Sequence, residues 1–209
     1  YHMYPLGMTG APKHNEGTEI THRFDELNRY IPHLSQLGFN AIYIGPLFES
    51  SSHGYDTRDY KLVDRRLGDN RDFKEFVALC HRSGSKVGVN GVLNHTGREL
   101  FTFDWQTPLG DPFRFEAWQG HFELPCLNLF NPAVRQYLFD VILFWVNEFD
   151  IDGIRLDCAN VLDFNFMKEL RRETAAMKED FWLMGEVIHG DYSRWVNPEM
   201  LHSVTNYEL

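Results

Sequence analysis

Ile151-Asp152-Gly153-Ile154-Arg155-Leu156-Asp157-Cys158 follows directly on a helical pattern that runs from Val134 to Phe149. The run is short, rich in aliphatic residues and interrupted by Gly153, which reads as a strand. Asn131-Pro132 opens the preceding helix as N-cap and first helical residue, where proline's missing N–H costs nothing. The same unit recurs on both sides. Apolar runs at 2–6, 40–47, 86–93, 181–188 and, weakly, 203–209 read as further strands. Between them, Phe24, Leu27, Ile31, Leu34 and Leu37 fall at helical spacing, closed by Gly38. Phe73, Phe76, Val77 and Cys80 do the same, with Asn70 as N-cap and Gly84 as the stop. Phe166, Met167, Leu170 and Met177 mark one more helix. Strands alternating with helices predict a parallel sheet, and strands apolar on both faces are what such a sheet buries.

Polar residues gather just past the strand ends: Gly54-Tyr55-Asp56, Asn94-His95, Asp157 and Glu186. That is the habit of a β/α barrel. An open doubly wound sheet is the competitor, weakened because no glycine-rich phosphate loop follows the first strand. The expected fold class is therefore α/β, a TIM-type (β/α)8 barrel with about six of its eight βα units present. Residues 1–97 would hold strands one to three and residues 131–209 strands four to six. Residues 98–130 would form a shortened excursion; Pro108, Gly110, Pro112 and Gly120 break its rhythm, and irregular stretches of this length are usually functional.

With 209 residues the chain is long enough for one sizeable core, and 43% hydrophobic against 24% charged residues is ordinary for a globular chain. Thirty acidic against twenty basic residues give −10, which disfavours a nucleic acid or an anionic membrane. No apolar run approaches the roughly 18 residues of a membrane span, and the opening Tyr1-His2-Met3 is unlike a signal peptide. Three cysteines are too few for a disulfide framework, so a cytoplasmic location is expected. Aromatic residues reach 15%, a composition suited to stacking on sugar rings. Trp105, Trp118 and Trp195 are candidate platforms; Trp145, inside a helix, is expected to be packed. Cys80 and Cys158 are both expected in the core.

Alternation along a strand puts Arg155 and Asp157 on one face. A guanidinium beside a carboxylate favours its charged form, as a nucleophile requires; a purely structural ion pair is the alternative. Glu186 ends an almost wholly apolar strand, where low polarity would raise its pKa and suit a general acid. It could equally cap the strand and face water. One carboxylate kept ionised and one kept protonated form the pair that glycoside hydrolysis uses. Spacing does not set their separation, so retention and inversion both stay open.

Tyr4-Pro5, Gly54-Tyr55-Asp56, Val92-Leu93-Asn94-His95, Gly153-Ile154-Arg155-Leu156-Asp157 and Gly185-Glu186 together, and in this order, resemble the motifs of the α-amylase family of glycoside hydrolases. The resemblance places Tyr4-Pro5 on the first strand. It implies that Asp157 is the nucleophile, Glu186 the general acid/base and Arg155 the group that keeps the nucleophile charged. It also implies that His95 binds the sugar being cleaved, that Tyr55 stacks on its ring, and that the reaction is retaining on α-glucosidic bonds, usually α-1,4. Arg155-Leu156-Asp157-Cys158-Ala159-Asn160, the trio of residues that brings His189 after Glu186, and Leu124-Pro125-Cys126-Leu127-Asn128 are similar to the cyclomaltodextrinase, neopullulanase and maltogenic amylase group. Asn94, Asn160 and His189 join the expected substrate contacts.

Classical members carry Lys-His where Asn160-Val161 stands, so the calcium site at Asn94 loses a partner and no metal or other cofactor is expected. The expected partner is an α-glucan oligosaccharide such as a maltodextrin or cyclodextrin, with a homo-oligomer left open. Asn90 stands at the position of a family Asp, which leaves Arg155 only the nucleophile and neutral acceptors as neighbours. By the same resemblance the third catalytic Asp falls after Leu209. A relative that binds α-glucan without cleaving it is the alternative.

Overall fold

A computed structural model describes residues 1–98 and 115–208. Six strands form one parallel sheet in the order β1 (His2–Met3), β2 (Ala41–Ile44), β5 (Lys86–Gly91), β6 (Gly153–Leu156), β7 (Trp182–Gly185) and β8 (Ser203–Val204). Each neighbour in space is the next of these strands in the chain, the order of a sheet winding into a barrel. Each of the six runs read as a strand contributes one.

Helices α4 (Asn70–Arg82), α5 (Pro132–Phe149) and α6 (Phe164–Met177) link successive strands. Their apolar stripes pack Phe73, Phe76, Trp145, Phe149, Phe166 and Leu170 into a continuous core with Val87, Val89, Ile154 and Leu183 of the strands. Asn131 caps α5 through the Ala133 amide, as expected. The cap of α4 is Asp69 rather than Asn70: its carboxylate accepts from Arg71 and Asp72 while Asp72 accepts from the Asp69 amide, a capping box. Asn70 instead ties the Val63 amide and the Lys61 carbonyl.

Two local expectations are corrected, and one further element is present. The first strand stops at Met3, and Tyr4 caps a short helix, α1 (Pro5–Met8), so Tyr4-Pro5 lies just past the strand. The pattern from 24 to 37 divides into α2 (Phe24–Asn28) and α3 (Ile31–Gln36). Pro32 lacks the N–H that would bond the Asn28 carbonyl, so the ladder breaks there. Finally, an antiparallel hairpin, β3 (Phe48–Ser50) and β4 (Thr57–Val63), lies between β2 and α4 with two register shifts.

That hairpin positions the strand-end loops. Glu49 takes Arg58 and Arg65 at 3.0 and 2.7 Å, while Arg66 meets Asp64 at 2.6 Å, both almost wholly buried. Tyr60 donates to the carbonyls of Val92 and His95, and its own carbonyl accepts from the Trp145 indole. The Gly97 amide and the Thr96 hydroxyl both bond the Thr57 carbonyl. A Cβ at Gly97 would stand 2.5 Å from the Asp56 carbonyl oxygen, so only glycine allows this approach.

Candidate active site

Beyond the C-terminal ends of β5, β6 and β7 lies a cavity of about 1110 Å³, lined by Tyr55, Asn94, His95, Asp157, Asn160 and Glu186 among others. Its opposite wall comes from the described end of the excursion, including Trp118, Leu124, Cys126 and Phe130. That wall is pinned to the barrel by bonds from the Thr96 amide to the Pro125 carbonyl and from the Leu127 amide to the Asn94 carbonyl. Trp118 also packs on the His95 ring at 5.6 Å. Trp195 is not a platform: it is packed against Phe164 and buried. Trp105 lies outside the described residues.

Arg155 is the hub. One terminal nitrogen donates to Asp157 Oδ1 at 2.7 Å and to Asn90 Oδ1 at 2.9 Å; the other meets Glu186 Oε1 at 2.8 Å. Arg155 therefore holds both carboxylates, not the nucleophile candidate alone. Register explains the Asn90 contact, because Asn90 and Arg155 are partners across β5 and β6. The Asn90 Nδ2, however, is buried without a hydrogen-bond partner among the described residues.

The electrostatics reverse the expectation for the two acids. Burial pushes the Asp157 carboxyl above its ordinary range, against Arg155 and the Cys158 thiol, which pull it down. For Glu186, burial also acts upward, but the Cys158 amide, Arg155 and the Tyr207 hydroxyl outweigh it and hold the carboxyl below its ordinary range. The Cys158 amide donates at 3.0 Å and Tyr207 at 2.9 Å. Glu186 escapes the low polarity of its strand because it lies one residue past the end of β7, within reach of donors from two other segments.

Cys158 is the residue that the sequence misplaces. Alternation sends its side chain away from Asp157, but β6 ends at Leu156 and Cys158 adopts φ +49. Its thiol donates to Asp157 Oδ2 at 3.2 Å and it lines the cavity. Cys158 is nonetheless buried, as expected, and Cys80 is in the core. His95 is buried, with Nε2 4.0 Å from Asp157 Oδ2 and no hydrogen-bond partner among the described residues. Burial and, secondarily, His53 push its pKa down to about 4, so the ring is neutral at physiological pH. Burial pushes the Tyr55 phenol up to about 12.

His189 is not brought to the cavity. Its backbone turns at φ +62, its side chain is 68% exposed and its ring approaches Glu208 at 4.0 Å; Ile188 lines the cavity instead. Calcium needs six to eight oxygen ligands. The Asn94 amide is 3.3 Å from the His95 ring, and among the described residues no acidic cluster assembles with it.

The profile for the alpha amylase catalytic domain matches residues 27–114 and 109–209. A cyclomaltodextrinase of Geobacillus thermopakistaniensis is 35% identical over 200 residues, covering 86% of this chain and 34% of that protein. Neopullulanase 2 of Thermoactinomyces vulgaris is 36% identical over 198 residues, covering 85% and 34%. A solved cyclomaltodextrinase superposes with a TM-score of 0.80 at 29% identity over 99% of this chain and 43% of that one. A cyclic alpha-maltosyl-(1→6)-maltose hydrolase of Arthrobacter globiformis gives 0.83 at 25% identity over 99% and 54%. The chain spans about a third of the length of these curated relatives.

Proposed function

The chain belongs to the alpha-amylase catalytic-domain family, and from that premise we propose that it carries the reacting carboxylates of a retaining glycosidase for α-1,4-glucosidic bonds. The single observation behind this reading is the guanidinium of Arg155 shared by Asp157 and Glu186, both of which line the cavity. One side chain that spans both acids favours the close pairing of a retaining enzyme, about 5–5.5 Å, over the wider gap that admits a water.

Asp157 is the nucleophile. Arg155 on Oδ1 opposes its protonation and leaves Oδ2 facing the cavity beside His95. Attack on the anomeric carbon forms a glycosyl–Asp157 ester as Glu186 protonates the departing glycosidic oxygen. Glu186 then takes a proton from the water that hydrolyses the ester. In the free site Glu186 is held charged by three donors, so its protonation for the first step follows substrate entry, which removes water and displaces part of that set. Neutral His95 presents Nε2 to a hydroxyl of the bound sugar, and Tyr55 and Trp118 offer apolar faces.

The substrates are maltodextrins or cyclodextrins, in keeping with the names of the relatives. Asn90, with its unpaired Nδ2, favours a second reading in which α-glucan is bound but not cleaved. Reducing-sugar release from β-cyclodextrin and maltotriose by the purified protein decides between them. Turnover that Asp157→Asn abolishes supports cleavage; binding of maltotriose without release of reducing ends supports the second.

A further inference from the structure

We propose that His95, Asp157 and Cys158 form a binding site for a borderline-soft divalent cation of the Zn2+ type, on the face of Asp157 turned away from Arg155. Nitrogen, oxygen and sulfur donors from these three buried residues lie within 4.8 Å of one another. The Cys158 Sγ is 3.2 Å and the His95 Nε2 4.0 Å from the same atom, Asp157 Oδ2. Zinc bonds of about 2.0–2.3 Å at tetrahedral angles put ligand atoms roughly 3.3–3.7 Å apart, so small side-chain shifts complete three corners. The fourth corner opens on the cavity.

The independent mark of a ligand here is His95. Its side chain is 98% buried, yet Nε2 lacks a hydrogen-bond partner among the described residues and points at Asp157. A metal on Nε2 places the ring proton on Nδ1, where the Asn94 amide at 3.3 Å, turned to present its oxygen, accepts it. Charge agrees: Asp157 and Glu186 against Arg155 leave one negative charge before the metal enters. The donor set also selects the metal, because a thiol and an imidazole suit zinc and are poor ligands for calcium or magnesium. Binding forms a Zn–S bond and breaks the S–H bond, with the proton released to solvent. A bound metal would occupy Asp157 Oδ2 and His95 and so inhibit turnover; that consequence rests on the function proposed above, whereas the binding rests on the donors alone.

Co2+ is the spectroscopic probe and Zn2+ the competitor, each added to the purified protein without sugar. The expected result is one Co2+ bound with a near-ultraviolet thiolate-to-metal band that Zn2+ abolishes. Cys158→Ser should remove the band and weaken Zn2+ binding by about tenfold or more, and His95→Gln should weaken it similarly. Cys126→Ser, which alters the cavity's other thiol, should leave the band in place. Independently of any variant, Zn2+ should slow iodoacetamide alkylation of Cys158 but not of Cys126, read by peptide mass spectrometry. A band that is absent, that survives Cys158→Ser or that is lost with Cys126→Ser overturns the proposal. So does alkylation of Cys158 at an unchanged rate.

Discussion

Arg155 organises the site through three short contacts, so single-atom changes around it should have separable effects. Asp157→Asn removes the ester-forming oxygen while keeping the shape that Arg155 and Cys158 recognise. It is expected to lower the rate about a thousandfold or more and leave maltotriose binding within a few-fold, read by steady-state kinetics beside calorimetry. Tyr207 donates to the charged form of Glu186. Tyr207→Phe therefore raises the Glu186 pKa, and the basic limb of the rate profile, which reports loss of the acid's proton, should move to higher pH. A limb that stays put or moves down contradicts that role. Asn90→Asp exchanges a buried, unpaired amide nitrogen for a second oxygen and gives Arg155 a charged partner across the strands. Charge-assisted bonds are about twice as strong as neutral ones, so catalytic efficiency should rise roughly tenfold; unchanged efficiency with intact circular dichroism would show that the neighbours already accommodate Asn90. The thiol beside Asp157 is not legible in the sequence, because strand alternation fails at Cys158, two residues past the end of β6. The opposed protonation preferences of the two acids were misjudged for a related reason: apolar neighbours in sequence say nothing about Arg155, Tyr207 and the Cys158 amide arriving from elsewhere.

Between elements, the sheet depends on close backbone approach and on one buried carboxylate. A Cβ at Gly153 would lie 2.5 Å from the Trp182 carbonyl oxygen across β6 and β7. Gly153→Ala should therefore cost about 1–3 kcal/mol in urea unfolding, by forcing apart the strands that carry Asp157 and Glu186. Asp152, just before β6, accepts from the Val87 amide, His81, Lys86 and Lys178 and so ties β5, α4 and the end of α6 together. Burial raises its pKa, but those donors overcome it and bring the value from 3.8 down to about 2. Its contribution, about 2 kcal/mol, is fully present above the unfolded pKa and is lost as pH falls from about 4 towards 2. Urea midpoints across that window should fall in the parent and flatten in Asp152→Asn. The parallel strands were legible because each is a short apolar run bounded by turn residues. The β3–β4 hairpin was not, because its inward groups include Glu49, Ser50 and Asp64, whose burial is made tolerable by Arg58, Arg65, Arg66, Asn15 and backbone amides. Polar residues satisfied by distant partners leave no periodic signal.

At the scale of the whole molecule, six parallel strands leave β1 and β8 as the two ends of the sheet in the described residues. A sheet of this curvature satisfies those ends by closing with further strands. The 209-residue polypeptide produced by itself is therefore expected to self-associate, and sedimentation showing a monomer with a cooperative melt would contradict the unpaired edges. Family membership explains why Tyr55, Asn94, His95, Asn160, Asp157 and Glu186 converge on one cavity although they are spread over more than a hundred residues: successive parallel strands deliver their C-terminal ends to one rim. His189 shows the limit of that logic, since four residues past the end of β7 the backbone has already turned away. The proposed chemistry makes one commitment that no binding protein shares, a covalent bond between Asp157 and the sugar. Incubation of the purified protein with a fluorinated α-glucosyl fluoride, followed by proteolysis and peptide mass spectrometry, tests it directly. The expected result is a glycosyl adduct on Asp157 that forms in step with inactivation and is absent from Asp157→Asn. An adduct on another residue, or inactivation without any adduct in a protein that releases reducing sugar, would contradict it.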